Sequence, residues 1–70
     1  MIMNYIIKSK RAILNLSQAE LAKIIGVSRQ TILLIEQEKY NPSIKLCLSI
    51  CYVLNSTLDE LFWKDPENER

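Results

Sequence analysis

Residues 18–37 decide the fold of this chain, and they read Gln18-Ala-Glu-Leu-Ala-Lys-Ile-Ile-Gly-Val-Ser-Arg-Gln-Thr-Ile-Leu-Leu-Ile-Glu-Gln37. The stretch divides at Gly26, because a left-handed backbone that ends a helix has a low cost only without a Cβ atom. Apolar residues recur at helical spacing on both sides of this glycine: Leu21, Ala22, Ile25, Ile32 and Ile35. The pattern predicts two short helices joined by a tight turn.

Steric fit and hydrogen bonding explain the residue types found around the turn. Ala22 falls where the two helices cross, so its side chain must be small. Val27 points inward and fills the angle between the helices. Ser28 is a good N-cap, because its hydroxyl accepts a hydrogen bond from a free backbone N–H of the second helix. Two helices joined in this way form a helix-turn-helix motif.

The second helix leaves a polar and apolar mixture facing outward: Arg29, Gln30, Leu33, Leu34 and Gln37. Arginine pairs bidentately with guanine, glutamine pairs with adenine, and an apolar side chain packs on the thymine methyl group. A helix of this size fits the major groove. The alternative for Leu33 and Leu34 is a protein partner, because two exposed adjacent leucines are costly in a lone monomer.

The chain resembles the phage-repressor/Cro-like (XRE) helix-turn-helix family. Within that family it looks most similar to the small stand-alone bacterial repressors. The likeness covers about residues 7–62 and rests on the following residues: Ser17, Gln18, Leu21, Ala22, Gly26, Val27, Ser28, Ile32, Ile35, Glu36, Asn41, Pro42 and Ser43. It implies an all-α, five-helix, lambda-repressor-like domain over residues 1–70. It also implies a homodimer on a pseudo-palindromic operator, with recognition helices 28–38 roughly 34 Å apart.

The resemblance assigns base contacts to Arg29, Gln30 and Leu34. Relatives often have a polar residue at the position of Leu34, and a leucine there suggests sites that contain A·T pairs. It also implies that Arg11 pairs with Glu36, which ties the first helix to the recognition helix. The alternative for this pair is ordinary surface charge, but both members stand at the matching positions.

Phosphate contacts are expected at both ends of the motif. Ser17 and Glu20 form a capping-box pattern, which places Gln18 at a helix N-terminus that attracts a phosphate. Short hydroxyls and a loop segment that matches the family's backbone-contacting segment complete the set: Ser28, Thr31, Lys39, Tyr40 and Asn41. Tyr40 is equally well explained as a packed loop aromatic.

The flanking segments complete the domain. A first helix is predicted over about residues 4–14, with Ile7 and either Ile13 or Leu14 facing the core. A fourth helix over residues 43–54 is apolar nearly all round, which is typical of burial on several sides and hints at a subunit interface. A fifth helix follows over residues 58–62. The candidate dimer residues are Tyr52, Leu58, Leu61, Phe62 and Trp63.

The two ends of the chain allow an alternative structure. Residues 1–5 form either a ragged helix start or a short strand. A strand would need a partner, and residues 62–64 are the candidate.

Composition bounds the function. Seventy residues make one domain, and a chain this short buries only about 60% of its unfolded surface, so a partner surface would help. The net charge is only +1, but residues 1–45 hold seven Lys/Arg and three acids, whereas residues 46–70 hold two and five. The positive charge therefore accompanies the motif, as a phosphate-binding surface requires, although an ordinary mixed surface is an equal reading.

Other classes of function have little support. The chain has no histidine, so a Ser-His site is impossible, and no nucleophile–base pair, metal cluster, cofactor motif or small-molecule site is evident. Cys47 and Cys51 are expected to be small core residues, with a redox or metal role shared across a dimer as the alternative. No membrane span or secretory signal is visible, so a cytoplasmic location is expected. The alternative function is a protein-interaction module, either an antitoxin or a co-regulator.

Overall fold

The computed structural model describes residues 4–62 as five helices. Their bounds are α1 Tyr5–Ile13, α2 Gln18–Ile25, α3 Arg29–Glu36, α4 Ile44–Val53 and α5 Leu58–Phe62. No strand occurs between residues 4 and 62, and the predicted all-α fold is confirmed. Most of the alternative terminal strand pair falls on residues 1–3 and 63–64, which lie outside the described residues.

One core holds the five helices together. α2 packs on α3 as the two helices of the predicted motif, α4 packs on α2 and α5, and α1 packs on α3 and α5. Every helix contributes to the buried cluster: Ile7, Leu21, Ala22, Ile32, Ile35, Ile50, Cys51, Leu54 and Leu61. The core therefore fixes the two helices of the motif from behind and leaves their outer faces accessible.

Polar side chains start all five helices of residues 4–62. At α5, Thr57 Oγ1 accepts from the Glu60 N–H at 3.2 Å while Glu60 Oε1 accepts from the Thr57 N–H at 3.0 Å. The side-chain oxygens of Asn4, Ser17, Ser28 and Ser43 each accept a backbone N–H from the first turn of α1 to α4. At α2 the pattern is reciprocal, because Ser17 Oγ accepts from the Glu20 N–H at 3.0 Å while Glu20 Oε1 accepts from the Ser17 N–H at 2.9 Å. Each cap satisfies donors that helix geometry leaves unpaired.

Left-handed residues end the helices. Asn15, Glu38 and Asn55 have φ values of 58°, 57° and 53°, directly after α1, α3 and α4. In each case the N–H of this residue and the next one bond back to carbonyls of the last turn, which is the Schellman arrangement. Gly26 has φ +92° and ends α2, as its position predicted.

The structure corrects one prediction about helix faces. Ile7 faces the core, but Ile13 is 77% exposed and Leu14 is also exposed, so neither lines the core. On α4, Ile44, Leu48 and Tyr52 share an exposed face, so one copy of the chain does not cover all the apolar surface of this helix. Together with α2 this face lines a shallow groove of about 860 Å³.

Both cysteines are buried free thiols. Cys47 and Cys51 lie on the inner side of α4, and burial raises the pKa of each thiol above its ordinary value. A raised pKa keeps the thiol protonated and poorly nucleophilic. Within residues 4–62, no group of three or more His, Cys, Asp or Glu residues stands close enough to hold a metal ion.

Gly26→Ala is expected to lower the free energy of unfolding by about 1–2 kcal/mol, because a Cβ atom makes this left-handed backbone unfavourable. An added Cβ would meet no atom within 4 Å, so the loss would come from the backbone alone. Urea denaturation measures it, with the exposed Lys23→Ala as the control. Equal stability of Gly26→Ala and the wild type would contradict the backbone argument.

A pH effect is expected from the two capping-box carboxylates. Hydrogen bonding to the backbone N–H of Ser17 lowers the pKa of Glu20, and the N–H of Thr57 together with Lys10 lowers the pKa of Glu60, from an ordinary 4.5. Because both pKa values are lower in the folded state, this stability is present above pH 4.5 and is lost as the pH falls below it.

The double variant Glu20→Gln/Glu60→Gln is the matched control, because glutamine still completes a capping box but does not titrate. Urea denaturation at several acid pH values should show a steeper loss of stability for the wild type than for this variant. Parallel losses would contradict the assignment.

Candidate nucleic-acid interface

The start of α3 carries the two polar residues predicted to read bases. Arg29 and Gln30 occupy the first turn of α3 and are exposed. Their position follows from the cap, because Ser28 Oγ accepts the N–H of Thr31 at 3.1 Å and so fixes where the helix begins. An exposed guanidinium and an exposed carboxamide therefore lie in the first turn of one helix.

The middle of the outer face of α3 is less exposed than the sequence suggested. Leu33, Leu34 and Gln37 are only partly exposed, because the protomer itself covers part of each side chain. The cost expected for two fully exposed leucines is therefore reduced within one copy of the chain. Their predicted base contacts remain predictions.

Hydroxyl groups cluster beside Arg29. Ser28 Oγ and Thr31 Oγ1 lie 2.9 Å apart and share a hydrogen bond, and Ser28 is exposed. Because each hydroxyl has one donor and two acceptor positions, this pair keeps capacity for a further polar group. The arrangement suits a phosphate contact next to the residues predicted to read bases.

The loop after α3 is exposed and leaves the helix along a fixed path. Lys39, Tyr40 and Asn41 are all exposed, and the N–H of Lys39 bonds to the carbonyl of Leu34 at 2.9 Å. This bond, together with the left-handed Glu38, fixes how the loop leaves the helix. Tyr40 is 47% exposed, so about half of the residue's surface is accessible to a partner.

Glu36 is the centre of a buried polar network. It is only 1% exposed, and its Oε2 accepts a hydrogen bond from Arg11 Nε at 2.6 Å. Arg11 Nη2 reaches Oε1 at 3.2 Å, and Arg11 Nη1 donates to the carbonyl of Leu16 at 3.0 Å. The structure therefore brings together the two charged residues that the sequence paired.

Two further residues join this network, and sequence reasoning missed both. Gln18 Nε2 donates to Glu36 Oε1 at 3.0 Å, and the N–H of Asn4 donates to the carbonyl of Glu36. Asn4 also caps α1 and donates from its side chain to the carbonyl of Leu61. No signal in the sequence indicated these contacts, because they join residues far apart in the chain and depend on the packing of α2 on α3.

The predicted dimer residues do not form one exposed face. Leu61 is 3% exposed and packs in the core of the protomer, so its side chain is not accessible to a second copy of the chain. Leu58 and Phe62 are partly exposed and pack against the core, whereas Tyr52 is 88% exposed on α4. Trp63 lies outside the described residues.

The motif, residues 18–37, carries two cations, Lys23 and Arg29, and two carboxylates, Glu20 and Glu36. Glu36 is neutralised by Arg11 inside the protein, whereas Glu20 is exposed. Four cationic side chains are exposed on or near the motif: Lys23, Arg29, Lys39 and Lys45.

None of the helices between residues 4 and 62 is both long and apolar enough to cross a bilayer.

Comparisons with known proteins agree with this geometry. A family model described as helix-turn-helix matches residues 7–61. An uncharacterized HTH-type transcriptional regulator of Archaeoglobus fulgidus is 48% identical over 61 residues, which is 87% of this chain and 86% of the relative. The uncharacterized HTH-type transcriptional regulator YgzD of Bacillus subtilis is 39% identical over 62 residues, covering 89% of this chain and 94% of the relative.

A third relative comes from another archaeon. An uncharacterized HTH-type transcriptional regulator of Methanocaldococcus jannaschii is 45% identical over 62 residues, covering 87% of this chain and 94% of the relative.

Arg11→Met is expected to lower the free energy of unfolding by about 3–5 kcal/mol, because it leaves the buried Glu36 carboxylate without its cation. Lys10→Met is the matched control, since Lys10 pairs with Glu60 at 3.5 Å on a more exposed surface. That loss should be about 0–1 kcal/mol. Urea denaturation compares the two variants, and similar losses would contradict a structural role for the buried pair.

Proposed function

We propose, from the premise that the chain belongs to the helix-turn-helix family of DNA-binding transcription regulators, that it is a repressor. In this proposal two copies of the chain bind a pseudo-palindromic operator, and α3 of each copy enters the major groove. The recognition helices then lie about one turn of DNA apart, roughly 34 Å. The protein acts in the cytoplasm, where chromosomal DNA is accessible in bacteria and archaea.

The observation that carries the proposal is the arrangement at the start of α3. Arg29 and Gln30 project from an exposed helix end. These are the side chains that pair bidentately with guanine and adenine in the major groove. Groups suited to phosphates precede and follow them in the chain: Gln18, Ser28, Thr31, Lys39, Tyr40 and Asn41. Base readers between backbone contacts are what sequence-specific DNA binding needs.

The same contacts are sufficient for repression by steric exclusion. A dimer that covers an operator overlapping a promoter excludes the polymerase, and no second ligand is required for that effect. The dimer surface includes Tyr52, Leu58, Phe62 and Trp63 in this proposal, while Leu61 supports them from the core.

A second candidate function is a protein-interaction module, such as an antitoxin or co-regulator. The exposed apolar residues Ile24, Ile44, Leu48 and Tyr52 favour it, because apolar patches of this kind mark binding surfaces. The dipeptide Leu33-Leu34 discriminates between the two candidates. Contact of these leucines with DNA supports the repressor, and their burial by another protein supports the interaction module.

Sedimentation of the pure protein with and without DNA tests the proposal. The DNA is a short duplex selected by the protein from a random library, and its scrambled version is the control. A species of about 16 kDa, twice the 8.2 kDa chain, that binds the selected duplex with a steep salt dependence is expected. A stable monomer that binds neither duplex would contradict the proposal and favour the interaction module.

Arg29→Ala is expected to weaken binding to the selected duplex by about 1–3 kcal/mol and to relax specificity at one base position. Loss of a bidentate contact with one base pair is the reason. Lys23→Ala, which removes an exposed charge from α2, is the control and should leave base specificity unchanged. Equal losses for Arg29→Ala on selected and scrambled DNA would contradict the base contact.

Gln18→Ala is expected to weaken binding to the selected and the scrambled duplex by the same factor, since a phosphate contact carries no direct sequence information. Fluorescence anisotropy titrations on both duplexes measure the ratio. A loss confined to the selected duplex would mean that Gln18 reads a base.

A further inference from the structure

The side chain of Gln18 is anchored before any DNA binds. Its Nε2 donates to Glu36 Oε1 at 3.0 Å, and Gln18 itself is only partly exposed. The acceptor cannot move easily, because Glu36 is buried and is also bonded to Arg11 through both carboxylate oxygens. A flexible side chain at the protein surface is therefore tied to a fixed point in the interior.

The anchored carboxamide keeps one N–H for another partner. A glutamine amide has two donor hydrogens, and the bond to Glu36 uses one of them. The capping box satisfies the N–H groups of Ser17 and Glu20, whereas those of Gln18 and Ala19 have no acceptor within the helix. The remaining amide hydrogen and these two N–H groups belong to the same first turn of α2.

We propose that Glu36 is a positioning residue for the phosphate contact made by Gln18. This inference rests on the proposed function and adds to it the residue that holds the contact in place. Glu36 does not touch the DNA, because it is buried. It acts by holding the Gln18 carboxamide in the rotamer that donates to a phosphate at the start of α2.

The physical gain is preorganisation. A surface glutamine that is free in solution loses rotamer freedom when it binds a phosphate, and that loss weakens binding. Here the bond to Glu36 orders the side chain during folding. Removing the anchor should therefore weaken DNA binding about 3- to 10-fold, the factor expected for ordering one flexible side chain.

The same geometry separates this role from a general structural role. Glu36 lies in the last turn of α3, so a disturbance of the recognition helix would reduce discrimination between selected and scrambled DNA. Loss of an ordered phosphate contact would instead weaken both by the same factor, because phosphates occur in every sequence. The ratio of the two affinities therefore identifies the mechanism.

The test is a double-mutant cycle that combines Arg11→Met/Glu36→Leu, which removes the anchor without leaving a buried charge unpaired, with Gln18→Ala, measured on the selected and scrambled duplexes. Arg11→Met/Glu36→Leu alone should weaken both duplexes about 3- to 10-fold with an unchanged ratio, and should have little effect in the Gln18→Ala background. Equal losses in both backgrounds, or a reduced ratio, would overturn the positioning role. If the wild type binds neither duplex, the proposed function fails together with it.

A second measurement covers the case in which Arg11→Met/Glu36→Leu does not fold. The heteronuclear NOE of the Gln18 side-chain amide in the free wild type should indicate order, with the exposed Gln30 amide as the mobile control. Addition of the scrambled duplex should shift the Gln18 amide resonance without further ordering. A Gln18 amide as mobile as that of Gln30 in the free protein would overturn the proposal.

Discussion

The fold depends on one buried carboxylate, that of Glu36. A charge with almost no contact with solvent is tolerated only when ions and hydrogen bonds compensate it. Arg11 from α1 supplies the cation, and Gln18 from α2 supplies a further donor to the carboxylate. The backbone N–H of Asn4 donates to the backbone carbonyl of Glu36. The position of α3 is thereby tied to α1, to α2 and to the start of the described chain.

This constraint matters because the domain is small. Its core fixes the distance between helices, but apolar contacts alone allow a short helix to slide or rotate. Directional bonds at Glu36 oppose both motions at one end of α3, while Ser28 fixes the other end. The outer face that carries Arg29 and Gln30 is therefore held in one orientation. The same network reaches Gln18, so the proposed base-reading residues and the proposed phosphate contact share one support.

Local sequence signals predicted the helices well, because each is strong and short in range. Ser17 with Glu20, and Gly26, act within one turn, and these residues are found in the predicted roles. Which side of each helix faces the core was harder to predict. Ile13 is exposed because, six residues after Ile7, it lies about 120° around α1 from the side that meets the core. Leu48 is exposed because nothing in residues 4–62 covers that side of α4. The bond between Gln18 and Glu36 has no local signal, since it arises from tertiary packing.

The central claim is that DNA binds the surface that runs from the start of α2 across α3 to Asn41. Amide chemical-shift mapping during titration with the selected duplex tests it most directly. The account predicts the largest changes at Gln18, at residues 28–31 and at residues 39–41, with little change on the exposed face of α4. Changes centred on Leu48 and Tyr52, or no change at any of these positions, would contradict it.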